Sequence, residues 1–191
     1  PVIIGLEAGV FARFGLQVLE RELIASDWLF AVPIYWHRKS GWIRFRYFHS
    51  SSHMGDEYSR RFGDPGVDFS RDAVEVFAFR RLQTQTGLYG GIRYAYNVHP
   101  EASKRWVARG GVQWEAQESG QPFRSFLSGD LEWDQDAQGI RAELQAGSWL
   151  PAVANRRSIR AGAVFLVGPS PLGQFNGEET VQLGISLRAT L

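Results

Sequence analysis

Residues 106–116, Trp106-Val107-Ala108-Arg109-Gly110-Gly111-Val112-Gln113-Trp114-Glu115-Ala116, send alternate side chains to opposite sides. Trp106, Ala108, Val112, Trp114 and Ala116 share one face, while Arg109, Gln113 and Glu115 share the other, with Arg105 just before them. A repeat of two is the period of an extended strand and not of a helix. Working outward, the same repeat recurs along the chain. Leu88, Ile92, Tyr94, Tyr96 and Val98 oppose Arg93 and Asn97. Phe123, Leu127, Leu131 and Trp133 oppose Arg124, Asp130, Glu132 and Asp134. Ile140, Ala142, Leu144 and Ala146 oppose Arg141, Glu143 and Gln145, and Val181, Leu183, Ile185 and Leu187 oppose Gln182, Ser186 and Arg188.

The alternation predicts strands at about 2–14, 22–37, 41–49, 71–83, 86–98, 104–117, 123–134, 139–150, 157–168 and 179–191. Pro33 falls inside the second, where a proline predicts a bulge. So high a strand content is expected of a barrel and unusual for an ordinary globular domain. The architecture is therefore all-β: an antiparallel up-and-down transmembrane β-barrel of about ten strands, as many as twelve in a full-length protein, with its first and last strands closing on each other. A lipocalin-like soluble barrel alternates equally well, but with its apolar face inside. Three features favour a membrane barrel. The polar face mixes arginines and carboxylates with glycine. The apolar face carries aromatics near strand ends, at Trp36, Tyr47, Tyr94, Tyr96, Trp106, Trp114 and Trp133, as interfacial girdles do. Short connections at 38–40, 84–85, 118–122 and 151–156 alternate with longer ones at 15–21, 50–70 and 169–178, which suits short periplasmic turns and long outer loops.

Composition narrows the class further. The 191 residues suit one domain spanning 1–191, and the opening residues lack the basic head and cleavage box of an export signal, so an N-terminal segment is expected to be missing. A net charge of +1 makes no case for nucleic acid, and the chain has no cysteine. Lysine occurs only at Lys39 and Lys104 among 21 basic residues. Arginine suits enclosed ion pairs because its planar fork meets carboxylates bidentately. Arg44, Arg46, Arg93, Arg109, Glu115, Arg124, Glu132, Arg141 and Glu143 are accordingly expected to point inward and to pair. The expected location is the bacterial outer membrane, and the expected partners are its lipid and, during insertion, the barrel-assembly machinery. The sequence leaves the oligomeric state open.

One stretch exceeds what patterning requires: Tyr47-Phe48-His49-Ser50-Ser51-Ser52-His53-Met54-Gly55-Asp56-Glu57-Tyr58. With Ala25-Ser26-Asp27-Trp28 and Val32-Pro33-Ile34 before it, it resembles the bacterial family catalogued as domain of unknown function 1207. That family shows an aspartate and aromatic opening a strand, then a proline, then histidine, paired serines and His-Leu-Gly-Asp-Glu; Met54 replaces the usual leucine. The likeness spans about residues 5–60. It implies an outer-membrane-like fold and brings no established activity.

His49-x-Ser51 also resembles the pair carried on one strand by outer-membrane phospholipase A and by lipid A deacylases of the PagL type. In both, an asparagine follows the serine; Ser52 stands there in this chain. Residues i and i+2 of a strand point the same way, so an imidazole could activate a neighbouring hydroxyl. The resemblance implies an acyl-ester hydrolase on outer-leaflet lipid, with Ser51 as nucleophile and His49 as base. Asp56, Glu57, Asp68 and Asp72 could orient the imidazole, and Asp72, at the end of the neighbouring strand, is best placed. His53, Asp56 and Glu57 are further binding candidates. His49 and His53 are four apart, which converges on a helix and not on a strand, so zinc is disfavoured. A calcium ion on Asp56 and Glu57 is the metal that hard oxygen ligands would suit. Set against these, His, Ser, Gly and Asp are ordinary loop formers. The competing expectation is a non-enzymatic barrel, either a narrow pore or a scaffold with an outer binding loop.

Overall fold

The computed structural model describes residues 1–16, 22–116, 123–150 and 158–190. Its strands are β1 (Val2–Ile4), β2 (Glu7–Phe14), β3 (Leu23–Arg38), β4 (Gly41–Met54), β5 (Phe69–Arg81), β6 (Thr86–His99), β7 (Trp106–Glu115), β8 (Arg124–Asp134), β9 (Gly139–Leu150), β10 (Ser158–Pro169) and β11 (Glu179–Thr190). A short helix, α1 (Asp56–Phe62), follows β4, and a single 3₁₀ turn, Gly173–Phe175, precedes β11. Every pairing is antiparallel, and from β3 to β11 each strand pairs with its neighbour in sequence. No described helix is long and apolar enough to cross a membrane. The expected connections at 118–122 and 151–156, and Leu191, lie outside the described residues.

β1 and β2 share the strand expected at 2–14, and both pair with β3. Ile4 faces Ile34 and Glu7 faces Ala31, so the break at Gly5 and Leu6 lies opposite Pro33. The irregularity expected at the proline thus appears in its partner strand. β3 itself runs through unbroken because Pro33 keeps its carbonyl, which accepts from the Gly5 N–H at 3.0 Å.

The sheet curls strongly but does not close. Arg46 on β4 reaches Glu7 on β2 at 3.2 Å, and Arg71 on β5 spans to Asp134 at the end of β8 and Asp136 just after it, at 3.2 and 2.6 Å. The expected seam between the first and last strands is absent among the described residues, and both remain sheet edges. Ile185, on the outward face of β11, is 91 % exposed.

Alternation sorts the side chains as expected. Exposed apolar residues fill the exterior: Trp28, Phe30, Ile34 and Trp36 on β3, Ile43, Phe45 and Tyr47 on β4, Val74 and Val76 on β5. Trp28 and Trp36 are eight residues apart, about 26 Å along a strand. That is comparable with the height of a membrane barrel's apolar band. The nine expected inward charges all lie on the inner face. Glu75 bridges Arg44 and Arg46 at 2.7 and 2.9 Å, Arg141 meets Glu132 at 2.5 Å, Arg109 meets Asp130 at 2.7 Å, and Arg124 meets Glu115 at 3.5 Å. Glu143 accepts from Gln145 at 2.5 Å. Arg93 makes no such pair among the described residues and lies over the Phe48 ring.

Above this charged layer sits a small apolar one, made by Ala31, Phe48, Ala73, Ala95 and Val98. The segment after β10 then folds across the mouth. Its Gly173 N–H donates to Asp27 at 2.8 Å, and Asn176 donates to Asp136 at 2.7 Å. Phe175 lies under the Arg13 guanidinium.

Candidate functional site

β4 runs to Met54, so residues 50–54 are strand where a loop was expected. Pairing on both sides explains the difference. Ser50 faces Leu29 and Arg71, and Ser52 faces Asp27 and Phe69, so two ladders override the turn preference of serine. Tyr47, His49, Ser51 and His53 therefore stand on the exterior face, with Ser50 and Ser52 on the inner one.

Asp72 faces His49 directly across the β4–β5 ladder, and its Oδ1 lies 2.8 Å from the imidazole Nδ1. Directly opposed residues bring their Cβ atoms within about 5 Å, so this contact follows from register. Asn97 Nδ2 donates to Asp72 Oδ2 at 2.9 Å, and the Tyr47 hydroxyl donates to Oδ1 at 3.4 Å. A carboxylate on Nδ1 favours the tautomer with its proton there, leaving Nε2 as an acceptor.

Alternation puts Asn97 on the inner face, and the structure corrects this. Asp72 pairs with Asn97 but Ala73 pairs with Ala95, so Tyr96 is an extra residue in a bulge. Tyr96 and Asn97 both turn outward, and Val98 turns inward, where it is buried. Bulges re-aim side chains in this way and are common beside active sites. Nothing in the sequence marks it, because Tyr94, Tyr96 and Val98 continue an unbroken alternation. Arg105 holds the bulge, donating to the carbonyls of Ala95 and Tyr96 at 3.1 and 2.7 Å.

Ser51 lies between Trp28 on β3 and Ser70 on β5. It makes no hydrogen bond with His49 among the described residues. Beside His49 an exterior groove of about 370 Å³ is lined by Ala8, Val10, Trp28 and Phe30. Its apolar walls suit a hydrocarbon chain, and neither the groove nor the Tyr47–Asp72 contact was legible beforehand.

The other candidates are not gathered here. His53 stands opposite Ser26, about 13 Å along the strand from His49. Asp56 and Glu57 occupy the exposed first turn of α1. Among the described residues no group of three His, Cys, Asp or Glu side chains is placed to hold a metal. Asp68 lies in the connection before β5. Ser52, by contrast, is 2 % exposed and donates to Asp27. Its Oγ accepts from the Gln174 N–H at 3.1 Å and its carbonyl from the Gln174 side chain at 2.8 Å, so this serine is tied to the mouth.

The chain belongs to the family described as protein of unknown function (DUF1207), whose pattern it matches over residues 2–190. No curated protein and no solved structure matches it.

Proposed function

For this member of that family we propose a lipid acyl-ester hydrolase of the bacterial outer membrane, working from the exterior of its sheet. The observation that carries the reading is the His49–Asp72 pair at 2.8 Å on an apolar face, next to a groove fit for an acyl chain. The long connections lie at the end that carries the pair, and the tight turn at Lys39 and Ser40 lies at the other. Long outer loops put the pair level with the outer leaflet, where Trp28 anchors the interface.

In this reaction Ser51 Oγ attacks the ester carbonyl while His49 Nε2 takes its proton, and Asp72 stabilises the resulting imidazolium. His49 then passes the proton to the departing alkoxide, and water hydrolyses the acyl-serine by the same route. Residues two apart on a strand point the same way, with Cα atoms about 6.6 Å apart, so Ser51 is the next hydroxyl on the face of β4 that carries His49.

The test is release of fatty acid from phospholipid and lipid A by refolded protein, with and without calcium. Lipid binding without release under either condition would reject the hydrolase. The second reading, a non-enzymatic scaffold, is favoured by the missing Ser51–His49 hydrogen bond. The narrow pore, the other form of that reading, is disfavoured by the charge-paired interior and by the segment across the mouth.

A further inference from the structure

The tight-turn end of β3, β4 and β5 gathers four cations. Arg38 and Lys39 make the β3–β4 turn, and Arg80 and Arg81 end β5. The two turns touch: Gly41 pairs with Arg80, and the Arg81 N–H donates to the Ser40 carbonyl at 2.7 Å. All four cations are exposed. None pairs with a carboxylate among the described residues, and the chain holds no Asp or Glu between Asp27 and Asp56 or between Glu75 and Glu101. This contrasts with the interior, where nearly every arginine has an acidic partner. Just inside the rim Trp36 faces outward, and the Arg38 guanidinium lies 4.2 Å over its ring.

An indole at the edge of an apolar belt sets a depth, since its amphipathic ring settles at headgroup level. Cations one turn beyond it then lie where lipid phosphates lie. A guanidinium donates a bidentate pair of hydrogen bonds to such a phosphate. We infer that this rim is a binding surface for the phosphate of anionic phospholipid headgroups, with Arg38, Lys39, Arg80 and Arg81 supplying charge and Trp36 fixing depth. The inference rests on the membrane reading above, in whose orientation the rim meets the periplasmic leaflet.

The experiment reconstitutes the protein in phosphatidylcholine vesicles containing a minor fraction of phosphatidylglycerol and counts retained lipid by native mass spectrometry. Wild-type protein should carry phosphatidylglycerol well above its share of the vesicle. Each neutralised cation should weaken retention about fivefold. R38Q/K39Q/R80Q/R81Q should lose the enrichment, whereas K104Q at the opposite rim should keep it. Enrichment should also fade in 1 M salt, where screening acts within about 3 Å. Retention of the two lipids in proportion to the vesicle's composition, or enrichment unchanged in the fourfold variant, would overturn the inference while leaving insertion intact. Phosphatidylglycerol displaced by millimolar inorganic phosphate would overturn it in favour of a free-anion site. Failure to insert into the vesicles at all would instead overturn the membrane reading beneath it.

Discussion

Asn97 donates to Asp72 from the exterior face of β6, on the side opposite to that which simple alternation gives it. One extra residue, Tyr96, turns it there, and the Arg105 guanidinium holds the bulge by two backbone carbonyls. The geometry of the carboxylate behind His49 therefore depends on an arginine that touches neither His49 nor Asp72 by any hydrogen bond described.

Arg105→Ala should loosen that bulge. Hydrogen bonds from a charged donor contribute about 1.5–3 kcal/mol each, so some loss of stability is expected. The informative readout is the ratio of effects. Under the hydrolase reading, lipid-ester turnover should fall about tenfold more than the folded fraction does, and amide exchange should rise at residues 95–97. Unchanged exchange there would remove Arg105 from this role.

The three adjacent serines should separate by role. Ser51→Ala should abolish turnover and leave the heat-modifiable folded band in place, and His49→Ala should match it, since the two act as one unit. Ser52→Ala should take the hydroxyl donor from Asp27 Oδ1 and the acceptor from the Gln174 N–H, and cost about 1–3 kcal/mol of stability, with the turnover of the folded fraction unchanged. Ser50→Ala should alter rate little. Equal effects of Ser51 and Ser52 on stability, with none on rate, would mark both as structural.

Glu75 is the one carboxylate shared by Arg44 and Arg46 and is nearly buried. Glu75→Ala would take the salt-bridge partner from Arg44 and leave Arg46 with Glu7, at a cost of about 3–5 kcal/mol if the Arg44 charge stays enclosed. Thermal loss of the folded band on unheated gels should move accordingly. A variant as stable as wild type would show that water satisfies the interior and that pairing does not govern it.

The segment 170–178 should keep the mouth shut. Wild-type protein in planar bilayers should show little steady conductance. Gln174→Ala removes side-chain bonds to the Ser52 and Val67 carbonyls and the acceptor for the Val67 N–H. It should raise the frequency of opening several-fold. A large, stable wild-type conductance would contradict the blocked mouth.

The fold was legible because one face of every strand is apolar and the other polar, and a slip of one residue would reverse both. Trp106 to Glu115 and Arg124 to Asp134 lie where their alternation put them. The inner arginines were legible for the same reason. The Asp72 partnership was legible from strand adjacency, which is a property of neighbours in sequence. Asn97 was not, because a bulge changes parity without changing composition. Nor was the extension of β4 through three serines, whose turn preference is local while their pairing with Leu29, Asp27, Arg71 and Phe69 is not. The role of Ser52 needed a contact with Gln174, 122 residues away.

The single extra residue in β6 gives this region a spare position. Deleting Tyr96 would restore strict alternation after Ala95, leaving Asn97 outward opposite Asp72 and Val98 inward. Losing Asn97 instead would set Tyr96 in that place, keeping the following side chains on their faces but taking away the amide that donates to Asp72. A codon lost at the bulge therefore preserves parity, and the identity of the residue that stays decides whether Asp72 keeps its neighbour.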